Sequence, residues 1–314
     1  MTLVLALEIF LAILVVAAAI WTITARETFA AVVGFVTYGL LLALVWMSLS
    51  AADIALTEAA IGSGVTGILL LGATARLEVA EKSIAARSGT ALHLVAAIVC
   101  GLVTIGLATV VLALPDPAPT LASAVAANMR AVDLGNPVAA VLLAYRALDT
   151  LIESAVLPLA LIGVWSLASD RFWGGRPGVQ QRPDRQGLMV FLARLLAPFG
   201  LLTGIYIVWV GTDAPGGKFQ GGTILAAMWI LTIMAGITNT PPTGRLWLRI
   251  VLITGPIVFL AIGLAGFVVP GAFLAYPTGL AKPVILIIEA ALTPSIAASL
   301  GLLLAGPPER MPEG

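Results

Sequence analysis

Glu58 is the residue with the most chemistry to explain. It stands in an apolar stretch from Ser50 to Arg76, long enough to cross a bilayer, with Asp53 five residues before it. A carboxylate at the centre of a membrane costs roughly 2.5–3.5 kcal/mol on insertion scales, so such a group faces protein or water. If the helix enters the hydrocarbon near Ala52, Glu58 lies about 9 Å inside a core of about 30 Å. What an acid can do there is hold and release a proton or a small cation, with a neighbouring positive charge tuning its grip. Other charged residues at membrane depth repeat the theme. Arg146, Asp149 and Glu153 follow an i, i+3, i+7 spacing that would place them on one helix face. Glu289 has Lys282 seven residues before it and Pro294 five after, a proline that frees the carbonyl of Ala290 and would give a polar break in the last span. Glu8 sits in the first apolar run.

The elements that must position these groups are transmembrane helices. Only 10% of the 314 residues are charged, 60% are hydrophobic and the mean hydropathy is +1.09, far from the roughly 25% charged of a soluble domain. The expectation is an all-α polytopic membrane protein. The run from Thr2 to Thr24 has neither a basic n-region nor a small-residue cleavage site and reads as a retained first span. Sixteen basic and sixteen acidic residues balance, which excludes a polybasic footprint for nucleic acid. A single cysteine, Cys100, and a single histidine, His93, rule out a disulfide framework and a Cys/His metal or iron–sulfur site within this chain. With no glycine-rich phosphate loop and no nucleophile elbow, no cofactor, metal site or catalytic activity of its own is expected.

Apolar runs of spanning length occur at about 3–24, 28–48, 52–75, 90–114, 143–168, 188–210, 222–238, 247–269 and 283–305. With the N-terminus outside, the inner segments hold Arg26, Arg76, Lys82, Arg87, Arg171, Arg176, Arg182, Arg185, Arg245, Arg249 and Arg310. The outer loops hold only Arg130, Lys218 and Lys282, so the positive-inside bias supports about nine spans, N-out and C-in. Segment 170–187 is the one polar, Gly-, Pro- and Arg-rich shift. It reads as an inner-face linker between a five-helix module, 1–169, and a four-helix module, 188–306, followed by a tail, 307–314. Asn136-Pro137 is an N-cap with proline at the first helical position. A helix from there to Ala168 would be about 48 Å long, too long for one straight span. An interrupted or re-entrant helix near 137–150 is expected, with its break at Tyr145–Thr150.

Depth and orientation together place Glu8, Glu58, Glu153 and Glu289 in the outer half of the membrane, as one outward-facing acidic half-path for protons or small cations. Thr57, Ala60, Gly64 and Gly67 form a small-residue stripe that admits a close neighbour while Glu58 points aside. The loop Gly211–Gly222, with Pro215, Gly216, Gly217, Gly221 and Gly222, favours a compact turn in which Asp213 and Lys218 pair or meet lipid headgroups.

Three blocks resemble known membrane proteins. DIALTEAAIGSG, residues 53–64, is similar to the signature of the D subunit of membrane-bound hydrogenases and to the C-terminal part of the Mrp antiporter A subunit, with Ala52 in place of the usual proline. NPVAAVLL and YRALDTLIE, residues 136–143 and 145–153, resemble the hydrogenase E subunit. GTDAPGGKFQGG, residues 211–222, resembles the loop of the Mrp antiporter B subunit (MnhB domain) and hydrogenase F subunit, with Thr212 and Lys218 where that family commonly has His and Gly. The resemblance implies a fusion of D-, E- and F-type segments, the first two similar to the five-helix J subunit of complex I. It implies a non-catalytic subunit of an Mrp-type Na+/proton antiporter or complex I-like assembly, in a prokaryotic cell (inner) membrane. Its partners would be other antiporter or complex I-like membrane subunits, lipids, and protons or Na+. The alternatives are a membrane arm of a proton- or sodium-pumping hydrogenase or other redox complex, and a scaffold without its own ion path. In the J subunit the third helix can carry a π-bulge that changes during turnover, and Gly62, Gly64 and Gly67 would permit a hinge of that kind here.

Overall fold

The computed structural model describes residues 2–74, 90–117, 119–178 and 187–310. The predicted inner-face residues Arg76, Lys82, Arg87, Arg182 and Arg185 lie outside them, as do most of the linker and the last four residues of the tail. The architecture is all-helical. Helices α1 (Thr2–Thr24) and α2 (Thr28–Ser48) form a hairpin, and α3 (Ala52–Thr74) packs on α2. Then come α4 (Thr90–Ala113), the short α5 (Ala122–Val132), the broken α6 (Pro137–Ala140, then a π turn Val141–Tyr145) and α7 (Ala147–Trp165). The C-terminal bundle is α8 (Leu188–Val210), α9 (Lys218–Met234), α10 (Leu246–Val268) and α11 (Ala281–Ala305). Two short strands, β1 (Arg176–Pro177) and β2 (Pro308–Arg310), pair antiparallel.

Among the described residues eight helices are long and apolar enough to span, one fewer than the nine expected. The difference is α9, whose 17 residues fall just short of a full spanning length; it starts at Lys218, within the glycine loop, and ends at Met234, so it is shifted toward the N-terminus of the expected run without being longer. About 25 Å at 1.5 Å per residue still lies near the lower bound for a crossing. Its neighbours show that it traverses the bundle. Gly204 faces Leu225 and Gly200 faces Met228, so α8 and α9 are antiparallel. Gly217 meets Glu289, Gly222 meets Ile296 and Gly301 meets Trp229, so α9 and α11 run side by side in one direction. Gly255 against Leu292 makes α10 antiparallel to α11. Thr57 bonded to Gln220 aligns α3 with α9. The starts of α3, α9 and α11 therefore share one face of the molecule.

Helix α11 is the axis of the core. Of its spanning window 61% is buried, against none for α1, and Ile285, Ile288, Leu292 and Ile296 anchor the largest apolar cluster. The predicted polar break at Pro294 does not occur, since α11 is continuous from Ala281 to Ala305. Membrane helices tolerate a lost N–H donor where side chains and neighbours compensate. Here Thr293 donates to the carbonyl of Glu289 and Ser295 to that of Leu252.

The break expected in the 137–150 segment is present. After the π turn the helix axis is interrupted at Arg146 and restarts at Ala147. The carbonyls on the far side of the break are taken up elsewhere. Thr150 donates to Leu142 at 2.6 Å and Tyr276 to Leu143 at 2.6 Å. Burial of the Tyr276 phenol, in the loop before α11, pushes its pKa well above the ordinary tyrosine value. Helix α3 also changes register: it is π-helical from Glu58 to Val65, and the Thr66 hydroxyl donates to the carbonyl of Ile61, five residues back.

Candidate functional site

Asn136 joins three elements at the face where α3, α9 and α11 begin. Its Oδ1 accepts from the backbone N–H of Val138 at 2.8 Å, the cap expected before Pro137. Its Nδ2 donates outward to the carbonyls of Gly211 and Ala214, both at 3.1 Å, and to Asp53 at 3.3 Å. The backbone N–H groups of Gly135 and Asn136 both donate to the carbonyl of Thr212. The glycine loop is thus fastened to the start of α6, and Asn136 is only 4% exposed.

Two backbone amides of that loop then meet two carboxylates. Gly216 donates to Asp53 Oδ1 at 3.0 Å, and Lys218, the first residue of α9, donates its backbone N–H to Glu289 Oε1 at 3.3 Å. Gly217 between them has φ +127°, a conformation that favours glycine, and a Cβ there would lie 3.1 Å from Glu289 Oε1. A helix N-terminus with free N–H groups suits an anion. Glu289 is 2% exposed, and its Oε2 has no hydrogen bond among the described residues. The Lys218 side chain is 3% exposed, with Nζ 5.0 Å from the ring centroid of Phe219.

These groups line a cavity of about 380 Å³. Asp53 and Thr57 come from α3, Glu153 from α7, Gly216 and Gly217 from the loop, Lys218 and Gln220 from α9, and Glu289 from α11. Leu142 and Leu143 of the broken helix supply apolar wall. Gln220 holds α9 to α3 through Thr57, at 3.0 Å. Three carboxylates and one ammonium from four helices can pass a proton or gather a cation at this depth.

Not every predicted residue is here. Glu58, expected at the centre, is half-buried on another side of α3. A Cβ on Gly39 of α2 would lie 3.1 Å from its Oε1, and its carboxylate fills the space a side chain on Gly62 would need. The π register separates its direction from that of Asp53 and Thr57. Gly67 packs on Val36 of α2, and a side chain on Gly64 would meet only the carbonyl of Ala59. Glu8 is exposed on α1. The four acids of the expected half-path therefore do not converge within this chain, and of them only Glu153 and Glu289 line this cavity. Arg146 and Asp149 pair with each other at 2.5 Å on the surface, because the break at Arg146 rotates them away from Glu153. Asp213 pairs with Lys282 at 2.7 Å, in place of the expected Lys218, whose helical start carries it inward. That ion pair holds the Asp213 carboxyl below its ordinary pKa. Gly221 and Gly222 serve packing, against Gly204 and Ile296. Sequence reasoning missed Asn136 as a donor and missed Thr57 and Gln220 as a tie. The signal for the Asn136 role was a buried-type amide at a cap with two N–H groups to spare.

Fold and cavity define a polytopic membrane protein whose N-terminal and C-terminal helices meet over shared acidic groups. Residues 13–79 match the MbhD family model, which describes the D component of MBH, and residues 188–305 match that of a domain related to the MnhB subunit of Na+/H+ antiporter. The chain thus carries an MbhD-like segment and a segment related to MnhB within one polytopic membrane protein. A chain of the Mrp complex from a Dietzia species superposes with TM-score 0.71 and 25% identity, over 97% of this chain and 35% of that one. An uncharacterized protein of Methanocaldococcus jannaschii is 30% identical over 158 residues, 44% of this chain and 59% of that protein. This chain thus spans little over half the length of that relative and about a third of the Dietzia chain. The archaeal membrane-bound sulfane sulfur reductase shares the fold, with TM-score 0.51 and 23% identity, over 68% of this chain and 97% of that one.

Proposed function

We propose that this chain carries part of the ion path of an Mrp-type cation/proton antiporter or related complex I-like assembly in a prokaryotic cell membrane, beside other membrane subunits. The carrying observation is Glu289, 2% exposed, set against the N-terminus of α9 in a cavity shared with Asp53, Glu153 and Lys218. Burying an acid there is costly unless its charge is used. Asp53 is held by Asn136 and Gly216 and shapes the loop. Glu153 and Glu289 are the groups left to exchange a proton, with Lys218 as the counter-charge between states. Glu58 stands outside the cavity, at the first π residue of α3, as a separate station toward α2. Redox chemistry, if the assembly performs any, belongs to its partners.

The test is Glu289→Gln in the intact assembly reconstituted in liposomes. Cation-coupled proton exchange should fall at least roughly tenfold, about 1.4 kcal/mol or more in barrier terms, while subunit composition is unchanged. Normal exchange in that variant, and in Glu58→Gln, leaves only the scaffold role. The match to the MbhD family model favours a second reading, a membrane arm of a redox-driven pump. Co-purification with nickel–iron or iron–sulfur proteins, instead of antiporter subunits alone, would select it.

A further inference from the structure

The cavity contains its own basic side chain. Among the described residues Lys218 is the one Lys or Arg lining it, while nearby Lys282 pairs with Asp213 and Arg146 with Asp149. Its backbone is fixed by the bond to Glu289, and its side chain is buried beside the Phe219 ring. Lys218 therefore shares this cavity with Asp53, Glu153 and Glu289.

The oxygens left for anything else are few. Asp53 receives Asn136 and Gly216, and the Thr57 hydroxyl accepts from Gln220. Glu289 Oε2, which has no hydrogen bond among the described residues, and the Glu153 carboxylate remain. A dehydrated metal cation wants a shell of oxygens, whereas a proton needs one acceptor at a time. A second unit charge within about 5 Å of the ammonium, at an effective dielectric of about 20, is also disfavoured by roughly a few hundredfold in binding.

Building on the proposed ion path, we infer that Lys218 is a tethered cation that occupies the place a transported Na+ would take and restricts this cavity to protons. In the antiporter reading, Na+ then crosses elsewhere in the assembly, and this chain handles the proton side of the exchange.

A carbodiimide that modifies protonated carboxyl groups in membranes tests this on the purified assembly, with labelling of Glu289 and Glu153 read by mass spectrometry. Labelling is followed against pH in NaCl or choline chloride at equal ionic strength. The expected result is pH-dependent labelling of Glu289 that is indifferent to Na+ in the wild type and in Lys218→Arg. In Lys218→Met, Na+ should protect Glu289 at least roughly tenfold. Na+ protection in the wild type overturns the inference while leaving the cavity as the path, and so does a Lys218→Met variant still indifferent to Na+. Absence of pH-dependent labelling at both Glu289 and Glu153 overturns the ion path itself. If Lys218→Met does not assemble, the wild type and Lys218→Arg decide by the same readout.

Discussion

Replacing Asn136 separates a helix cap from a three-way junction. In Asn136→Ala the cap on α6 is lost, at about 1 kcal/mol. The two 3.1 Å bonds to the carbonyls of Gly211 and Ala214 go as well, at about 1 kcal/mol each, and the long contact to Asp53 adds little. About 3 kcal/mol of local stability should disappear from the loop, or roughly a hundredfold in the opening equilibrium. The amide of Gly216, bonded to Asp53, reports it through hydrogen exchange in the purified assembly, where exchange should be about a hundredfold faster. Asn136→Asp is the discriminating variant. Aspartate is as good a cap as asparagine, but it would aim a carboxylate at Asp53 and at two carbonyls with no proton to give. Its Gly216 amide should exchange at least as fast as in the alanine variant. An aspartate variant protected like the wild type would refute the junction and leave Asn136 as a cap alone.

Gly217→Ala should cost about 1–3 kcal/mol, because alanine is strained at φ +127° and its methyl would press on Glu289. A lower melting temperature of the detergent-solubilised assembly checks this, and an unchanged one counts against the loop geometry. The Asp213–Lys282 pair gives a pH signature. Asp213 has a folded-state pKa below its unfolded value, so its contribution is present above pH about 4 and fades as pH falls through the lowered value. The gain is small, since the Asp213 side chain is half-exposed and that of Lys282 about a third exposed. In Lys282→Met, carboxyl NMR should show the Asp213 pKa returning upward; no movement would mean that the ion pair does not form in the membrane.

Composition and run length made the all-helical membrane fold legible, because burying an unpaired backbone in lipid leaves few alternatives. Asn136-Pro137 marked its helix start, and the length from there to Ala168 exposed the need for a break. What single-chain periodicity could not supply was direction around a helix whose register changes. The i, i+3, i+7 reading of Arg146, Asp149 and Glu153 assumed one continuous helix, and the break at Arg146 undid it. Glu58 was placed at the centre on depth alone, whereas the π segment starting at that residue turns it toward Gly39. Lys218 was read as a loop residue able to reach Asp213. That the two preceding glycines start a helix there, and so carry the lysine inward, is set by contacts more than 70 residues away, at Glu289 and Asn136.

The strand pair at the opposite face has a mechanical meaning. Residues 174–177 are bonded both to the C-terminal strand and to Thr243 and Gly244, while Asn136 fastens the N-terminal half to the 211–214 turn at the far end. The chain before the linker and the bundle after it are therefore fastened at both faces, so parting them at either end requires breaking backbone hydrogen bonds there.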